Sequence, residues 1–291
     1  MSPLHLIFAG TPDIAVPTLK ALAGDDRFMM DLVITQPDRP VGRKKEITPP
    51  PVKVEAERLG LPVFQPENLH KEWPDFQQAH PELPKPDFLV VIAYGQLLSQ
   101  AMLDLPSIAP LNVHFSLLPL YRGASPIQHA ILHGEKTSGV TIQKMIQKLD
   151  AGPIAAQESL ILDPRETTTS LFERCAVLSA ELLPKTLLTP LTLKDQDETK
   201  ATVCKKLTRA DGIIDPQAMT AEEIDRTVRA LNPWPGVTWN DAKILEADLV
   251  SSPDVFDLSC KNETHLFIKT IQPAGGKPMR GADFARGRPA I

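Results

Sequence analysis

A continuous run of six apolar residues, Phe88–Ala93, constrains the fold more than any other feature of this chain. Such a run is typical of a strand that is buried on both faces of a parallel sheet. Other short strands are predicted at Leu4–Ala9, Asp31–Thr35, Pro62–Phe64, Leu111–Phe115 and Gly139–Met145. Helices are predicted at Val16–Leu22, Val52–Leu59 and Ser125–His133. Strands that alternate with helices indicate an α/β fold with an open, doubly wound, mostly parallel sheet.

The second part of the chain has a different texture. From about Cys204 the predicted segments are short and include one helix, Ala221–Ala230, which indicates a smaller domain rich in strands. A helix that begins near Ser170 is predicted to close the first domain and to be disrupted at Pro184. The charged stretch Lys194–Lys200 lacks apolar periodicity and is predicted to be a solvated linker. We therefore expect domains over residues 1–188 and 206–291, joined by a linker over 189–205.

Composition limits the classes of protein to which the chain can belong. Hydrophobic residues make up 42% and charged residues 23% of its 291 positions, which fits a globular enzyme. The net charge of -5 argues against a protein that coats nucleic acid nonspecifically, although a local basic patch remains open. Three dispersed cysteines show neither zinc-ligand spacing nor a disulfide framework, so we expect reduced thiols in a cytoplasmic protein. We expect no leader peptide, membrane helix or metal site.

Two polar residues, Asn112 and His114, alternate with apolar residues in the predicted strand Leu111–Phe115. The period of two puts both side chains on one face, at the end of the sheet where ligands bind in folds of this class. Further along, Asp150 lies in the segment Leu149–Pro153, where its carboxylate could orient the histidine. A lone strand histidine is more often an ordinary core residue. The turn that follows the strand and the acidic segment together favour a functional site.

These three residues suit the attack of an amine on a carbonyl carbon. The transition state carries negative charge on oxygen and positive charge on nitrogen, so catalysis needs donors for the oxygen and an acceptor for the proton. Asn112 offers a neutral donor, and a protonated His114 offers a charged one. Asp150 would orient His114 and receive the proton, directly or through water. Because no serine or cysteine has an adjacent base, direct transfer is favoured over a covalent intermediate.

Four cations fall within seven positions of a predicted long loop, Gln36–Pro51. They are Arg39, Arg43, Lys44 and Lys45. A solvated loop and a phosphate-contacting loop explain this run about equally well. Trp234 lies between two prolines, where buried packing is the default and stacking on a nucleobase is the alternative.

Several motifs together resemble the signature of formyltransferases that use 10-formyltetrahydrofolate. They are Asn112-x-His114-x-Ser116-Leu117-Leu118-Pro119, then Arg122-Gly123-x-x-Pro126, then Leu149-Asp150-x-Gly152. Further segments resemble the branch of that family that acts on methionyl-tRNA: Phe8–Pro12, Gln36–Pro40, Ala93–Gln96 and Arg229–Gly236. The resemblance extends over essentially the whole chain.

The resemblance implies a Rossmann-like catalytic domain, followed by a smaller β-barrel that is similar to an OB-fold and helps to hold tRNA. The implied reaction is formyl transfer from 10-formyltetrahydrofolate to the α-amine of initiator methionyl-tRNA. The product would be N-formylmethionyl-tRNA for translation initiation. We expect a cytoplasmic monomer that uses the folate as a cosubstrate and no metal.

The same resemblance implies roles for individual residues. Asn112 and His114 would polarise the formyl group, while Asp150 orients His114 and manages the proton. Ser116, Leu117, Leu118 and Pro119 match the tetrahydrofolate-binding turn, and Arg39, Arg43, Lys44 and Lys45 would contact the tRNA acceptor stem. Lys148 departs from the family's pattern, which commonly has glycine there. Because glycine permits positive φ, lysine is expected either to be strained or to change the course of the loop before Asp150.

Three other functions are weighed against this one. A formyltransferase acting on an amino-sugar nucleotide would keep the three-residue site but would need no tRNA surface. A noncatalytic RNA-binding protein would bind tRNA without giving a folate-dependent product. A nicotinamide dehydrogenase is disfavoured because Gly10-Thr11-Pro12, which follows the first strand, lacks the Gly-x-Gly-x-x-Gly fingerprint.

Overall fold

The computed structural model of the chain describes residues 2–42 and 44–286. Arg43, one of the predicted tRNA contacts, lies outside the described residues. The first unit of the structure comprises the chain up to Arg122, Gly139–Leu160 and Phe172–Thr202. The second comprises Gly123–Ser138, Ile161–Leu171 and the chain from Val203 onward. These units interleave along the sequence, whereas the predicted domains are sequential, and the boundaries at 188 and 206 remain a prediction.

The helices and strands alternate as predicted over the first two thirds of the chain. They are β1 (Leu4–Gly10), α1 (Val16–Ala23), β2 (Phe28–Ile34), β3 (Arg39–Val41), β4 (Glu46–Thr48), α2 (Pro51–Arg58), β5 (Val63–Phe64), α3 (Leu69–Ala79), β6 (Phe88–Ile92), α4 (Gln100–Leu103), β7 (Ala109–His114), β8 (Arg122–Gly123), α5 (Pro126–Leu132), β9 (Thr137–Lys144), β10 (Ile154–Ile161) and α6 (Thr168–Leu187).

The described residues form a seven-stranded sheet in the order β10-β9-β7-β6-β1-β2-β5. Strands β5, β2, β1, β6 and β7 run parallel, and β9 is antiparallel to β7. All five residues of β6 are buried, as expected for a central strand covered on both faces. The predicted doubly wound, mostly parallel sheet is therefore confirmed, and the carboxyl ends of its strands present the loops that can carry a site.

Three details differ from the sequence-based expectation. The loop Gln36–Pro51 contains a short hairpin, in which β3 pairs with β4. Helix α3 is an additional element, and Asn68 caps it by accepting a hydrogen bond from the Lys71 amide. Helix α6 continues past Pro184 to Leu187, so the predicted disruption there is wrong. Pro184 lacks only its own N–H, so the helix loses the bond to the carbonyl of Ala180 but continues, and the Leu188 amide donates to the Pro184 carbonyl at 3.2 Å.

The second unit contains the strand-rich C-terminal part of the chain. Its elements are β11 (Val203–Cys204), α7 (Ala221–Leu231), β12 (Val237–Trp239), β13 (Ala242–Asp248), β14 (Phe256–Ser259), β15 (His265–Gln272), β16 (Met279–Arg280) and α8 (Gly281–Arg286). Among described residues, β12, β13, β15 and β14 form an antiparallel sheet, and β16 also pairs with β15. The predicted small, strand-rich domain is confirmed, with α8 as an additional helix. Closure into an OB-like barrel remains a prediction.

Helix α7 packs on this sheet because one of its faces is apolar. Its buried side chains include Ile224, Val228 and Leu231. A capping box closes its first turn, in which Thr220 and Glu223 exchange hydrogen bonds between side chain and backbone. In the part of the chain that the structure describes, no helix is both long enough and apolar enough to cross a membrane.

Candidate active site

Strand β7 places Asn112 and His114 on the same face of the sheet, as the alternation predicts. The antiparallel register pairs Asn112 with Gln143 and His114 with Thr141 on the neighbouring strand β9. Directly opposite residues of an antiparallel pair project to the same side. Gln143 and Thr141 therefore belong to the surroundings of the predicted site.

The carboxylate of Asp150 lies against both predicted donors. Its Oδ2 is 3.7 Å from Nδ1 of His114, and its Oδ1 is 3.4 Å from Nδ2 of Asn112. Nε2 of Gln143 donates to Oδ1 at 2.9 Å, which is the shortest of these three contacts. The side chains of His114 and Asp150 are only 7% and 8% exposed, so bulk water screens their interaction weakly. The structure thus brings together Asn112, His114 and Asp150.

The other ring nitrogen of His114 is held by the backbone. Its Nε2 lies 2.9 Å from the carbonyl oxygen of Tyr121. A carbonyl oxygen can only accept, so Nε2 carries a proton in this geometry. Nδ1 is consequently the nitrogen that can gain or lose a proton, and it is the one that faces Asp150. Tyr121 has φ +59, which belongs to the turn that directs its carbonyl toward the imidazole.

The loop before Asp150 does not carry the strain considered for Lys148. Lys148, a described residue, begins a turn in which the Ala151 amide donates to its carbonyl at 3.3 Å. The positive φ of this turn falls at Asp150, with a value of +50, and not at Lys148. The Lys148 side chain instead pairs with Glu198 at 2.9 Å. Gly152 is required, because a Cβ there would lie 1.8 Å from the Lys144 carbonyl oxygen.

The predicted folate-binding turn, Ser116–Pro119, is tightly hydrogen-bonded within its own unit. The Ser116 hydroxyl donates to the Leu120 carbonyl at 2.7 Å. Thr141 donates to the Ser116 carbonyl at 2.6 Å and accepts from the Leu118 amide at 3.1 Å. Ser116 and Leu118 are buried, whereas Leu117 and Pro119 are half-buried. Any ligand that touches the side chains of this turn would therefore meet Leu117 and Pro119.

A cavity lies beside Asn112 and Asp150. Its lining includes four carboxamide side chains, Gln96, Asn112, Gln143 and Gln147, and apolar side chains such as Leu97, Ile146 and Leu149. The side chains of Leu97 and Leu149 are 84% and 62% exposed, an unusual position for large apolar residues beside a polar cluster. The described residues Ser116–Pro119 are not part of this lining. The cavity suits a flat ring that is apolar on its faces and polar at its edge.

Three of the predicted tRNA contacts, Arg39, Lys44 and Lys45, lie on the hairpin of β3 and β4. Arg39 begins β3, and its guanidinium is 2.5 Å from the carboxylate of Glu67. Lys44 and Lys45 are exposed in the connection between the two strands, and Lys45 has φ +53. Val41 and Ile47, which are 56% and 66% exposed, make the same hairpin partly apolar. Arg39 is thus partly neutralised, whereas Lys44 and Lys45 face solvent.

The stretch Lys194–Lys200, which is predicted from the sequence to be a solvated linker, contacts the loop that carries Asp150. Nε2 of Gln196 donates to the Asp150 carbonyl at 2.8 Å and to the Gly152 carbonyl at 2.7 Å. Gln143 could have been predicted as a site residue from the sequence, because Thr141 and Gln143 alternate with apolar residues in a predicted strand. Gln196 stands 46 positions after Asp150, and no local pattern marks it.

A buried arginine connects this stretch to the rest of the site. Arg122 is 5% exposed and contacts Glu198 at 2.7 Å. Hydrogen bonds from Arg122 and then from Lys148 lower the pKa of the Glu198 carboxyl to about 2. Glu198 therefore stays ionised in solutions of ordinary pH and neutralises Arg122.

Trp234 is 53% exposed, so the prediction that it is buried is wrong. The turn that carries it is anchored by Asn232, whose side-chain amide donates to the carbonyls of Ile244 and Leu245 at 3.1 and 3.2 Å. Residues 2–42 and 44–286 contain no cluster of three or more histidine, cysteine or acidic side chains suited to a metal ion.

The fold and the site define the class of protein. A family model described as "Formyl transferase" matches residues 5–187, and one described as "Formyl transferase, C-terminal domain" matches residues 206–289. This chain belongs to the formyl transferase family.

Similar proteins with known names indicate a particular branch of this family. Methionyl-tRNA formyltransferase of Bacillus subtilis (strain 168) is 37% identical over 305 residues, which cover 97% of this chain and 94% of that protein. Methionyl-tRNA formyltransferase of Geobacillus sp. (strain WCH70) is 39% identical over 311 residues, covering 98% and 94%. The crystal structure of an N-formyltransferase from Helicobacter canadensis, with folinic acid and dTDP-3-aminofucose, superposes with a TM-score of 0.68. It covers 91% of this chain and 98% of that one, but at 18% identity it shows the shared fold alone.

Proposed function

We propose that this protein transfers the formyl group of 10-formyltetrahydrofolate to the α-amine of initiator methionyl-tRNA, producing N-formylmethionyl-tRNA for translation initiation. The cluster of Asn112, His114 and Asp150 at the end of β7 carries the proposal. It occurs in a chain that is similar over almost its whole length to methionyl-tRNA formyltransferases. The predicted monomeric state and cytoplasmic location belong to the same proposal, and sedimentation and cell fractionation test them.

The reaction forms a bond between the α-amine nitrogen and the formyl carbon and breaks the bond between that carbon and N10 of the folate. The amine loses a proton, and N10 gains one. Negative charge develops on the formyl oxygen during attack, where fixed donors are most effective. Asn112 Nδ2 has a second N–H beyond the one directed at Asp150 and can donate it to this oxygen. His114 supplies a second donor when Nδ1 is protonated.

In this proposal Asp150 accepts the proton that leaves the amine. Its carboxylate is held by Gln143 and lies 3.7 Å from His114 Nδ1. That separation exceeds a direct hydrogen bond, so a small shift or one bridging water would connect the two groups. Because Nε2 is committed to Tyr121, the proton would pass through Nδ1. The same pair can thus carry the proton from the amine toward the leaving nitrogen.

The cavity beside this cluster fits the folate donor. The lining residues Leu97, Ile146 and Leu149 would offer apolar surface to a ring system, and Gln96 and Gln143 would offer amide groups to its edge. Ser116–Pro119 would support the donor from the turn after β7, through the half-buried Leu117 and Pro119. The folate supplies the activated formyl group, while the chain's own residues orient it beside Asn112 and His114.

The acceptor would be held by its charge. Lys44, Lys45 and the neighbouring Arg39 and Arg43 would contact phosphates of the acceptor stem, and the C-terminal domain would add to the tRNA surface. Such contacts position the substrate without reading its sequence.

The test is a formyl-transfer assay with 10-formyltetrahydrofolate and three acceptors in parallel: methionyl-tRNA, uncharged tRNA and an amino-sugar nucleotide. We expect N-formylmethionyl-tRNA as the only product. Formylated sugar would preserve the chemistry of Asn112, His114 and Asp150 but overturn the proposed acceptor. Binding of tRNA without any folate-dependent product would favour a noncatalytic RNA-binding protein. The variants Asn112→Ala and His114→Ala serve as catalytic controls.

A further inference from the structure

Gln196 differs from its neighbours in the segment that follows α6. Among residues 192–200, all of which the structure describes, it is the only one that is not exposed. Two residues before Gln196, Lys194 and Ile154 exchange backbone hydrogen bonds of 2.9 and 2.8 Å, which attach the segment to β10. The side chain of Gln196 is therefore directed inward from a stretch that otherwise faces solvent.

The surroundings of Gln196 fix the orientation of its carboxamide. Its Oε1 accepts from Arg122 Nε at 3.0 Å and from Nη2 at 2.8 Å. Its Nε2 donates to the carbonyls of Asp150 and Gly152. A third acceptor for Nε2 is Oε1 of Gln143, at 3.4 Å. An arginine can only donate and a carbonyl can only accept, so a flipped amide would lose the hydrogen bonds to Arg122, Asp150 and Gly152. Arg122 is itself buried and paired with Glu198 at 2.7 Å.

Two glutamines thus hold Asp150 at different atoms. Gln143 binds its carboxylate, and Gln196 binds its backbone carbonyl. Asp150 has a positive φ, which a residue other than glycine keeps only where its surroundings enforce it. Nε2 of Gln196 donates to the carbonyls of residues 150 and 152, so it contacts the turn on both sides of Ala151.

We propose that Gln196 is a positioning residue for the formyl-transfer reaction, which holds the Asp150 turn so that the carboxylate faces His114 Nδ1. This inference rests on the proposed function. Gln196 acts through Asp150 and does not need to touch either substrate. Catalytic rates are sensitive to displacements of about 1 Å in such groups, by factors of about 10².

The variant Gln196→Met keeps the size of the side chain and removes the amide. We expect kcat to fall by about 10- to 100-fold, while KM for the folate and for methionyl-tRNA stays within about threefold. Gln196→Glu tests the same contacts differently, because it keeps the acceptor for Arg122 but presents oxygen to two carbonyls. It should lower kcat at least as much. The exposed neighbour Asp195 provides the control, and Asp195→Asn should leave kcat unchanged.

A double-mutant cycle separates positioning from general stability. In an Asp150→Asn background, Gln196→Met should lose most of its effect, because the group that it positions has been disabled. A full, additive loss in that background would overturn the proposal, as would a wild-type kcat for both Gln196 variants. If Asp150→Asn itself were fully active, the proposed role of Asp150 would fail instead.

Amide hydrogen exchange gives a readout that does not depend on activity. Gln196→Met should increase amide exchange in the segment 145–155 relative to Asp195→Asn. Urea unfolding of both variants measures global stability, so that a local increase in exchange can be distinguished from general destabilisation. Unchanged protection there would overturn the positioning role even if the enzyme assay failed. Absence of product from the wild-type chain would count against the proposed function alone.

Discussion

The Nε2 proton of His114 is donated to the carbonyl oxygen of Tyr121 across 2.9 Å. This contact leaves Nδ1 as the nitrogen that exchanges a proton, and it directs that atom at Asp150, 3.7 Å away. The ring is therefore oriented by backbone on one side and faces a carboxylate on the other. In such an arrangement the histidine can become a charged donor without reorienting, which is an advantage when charge develops during the reaction.

Removal of either member of this pair is expected to affect chemistry more than binding. His114→Ala and Asp150→Ala should each lower the single-turnover rate of formyl transfer by about 10²- to 10⁴-fold. The affinity for methionyl-tRNA, measured by filter binding, should stay nearly unchanged because neither side chain lies on the basic hairpin. Single-turnover rates within a few-fold of the wild-type rate would refute the proposed roles.

The rate of formyl transfer is expected to rise with pH over the neutral range. The attacking α-amine must be neutral, and α-amines have pKa values of about 8. Below that pH the neutral fraction grows about tenfold for each unit, so the rate should increase between about pH 6 and 8 and then level off. Single-turnover rates at saturating tRNA measure this directly. A flat profile would indicate that deprotonation of the amine does not limit the reaction.

The sheet and two of the three proposed catalytic residues follow from short-range patterns. Apolar runs predict buried strands, and a period of two puts Asn112 and His114 on one face. The contact between His114 and Asp150 is not predicted by such patterns. It is expected from the segment Leu149–Pro153 and from the family resemblance. Gln196 could not be predicted, because its hydrogen bonds join backbone groups 44 and 46 positions away. The hairpin of β3 and β4 gives only a weak sequence signal, because each strand has three residues and neither is long enough to show a sustained apolar alternation.

The basic hairpin is expected to contribute to tRNA binding through charge. Replacing Arg43, Lys44 and Lys45 together with alanine should weaken binding and flatten its dependence on salt concentration. The logarithmic slope should fall by about 0.7 to 0.9 for every phosphate that these side chains neutralise in the wild-type complex. Arg39→Ala should have a smaller effect, because Glu67 already neutralises Arg39. An unchanged slope in the triple variant would remove the hairpin from the tRNA interface.

The Glu198 carboxyl should contribute to stability in a defined pH range. Its pKa in the folded protein is lowered from 4.5 to about 2 by Arg122 and Lys148. Its contribution to folding is therefore fully present above about pH 4.5, decreases as pH falls, and is lost near pH 2. The difference in urea midpoint between wild type and Glu198→Gln should shrink over this range. It should be small throughout, because the Glu198 side chain is 57% exposed and solvent screens its interactions with Arg122 and Lys148. A difference that grows as pH falls would contradict the pairing.

Gly152→Ala tests the close approach of the Asp150 loop to strand β9. The added Cβ would lie 1.8 Å from the Lys144 carbonyl oxygen and 3.0 Å from its carbon, and both are backbone atoms that cannot rotate away. The loop must therefore move, at a cost of about 1–3 kcal/mol in the free energy of unfolding. Because Asp150 is two residues away, kcat should also fall, by about 10-fold or more. Gly276→Ala is the control, since its Cβ would come no closer than 3.3 Å to another atom. Urea unfolding and single-turnover rates of both variants decide the matter, and a stable, fully active Gly152→Ala would show that the loop's observed course is not needed for catalysis.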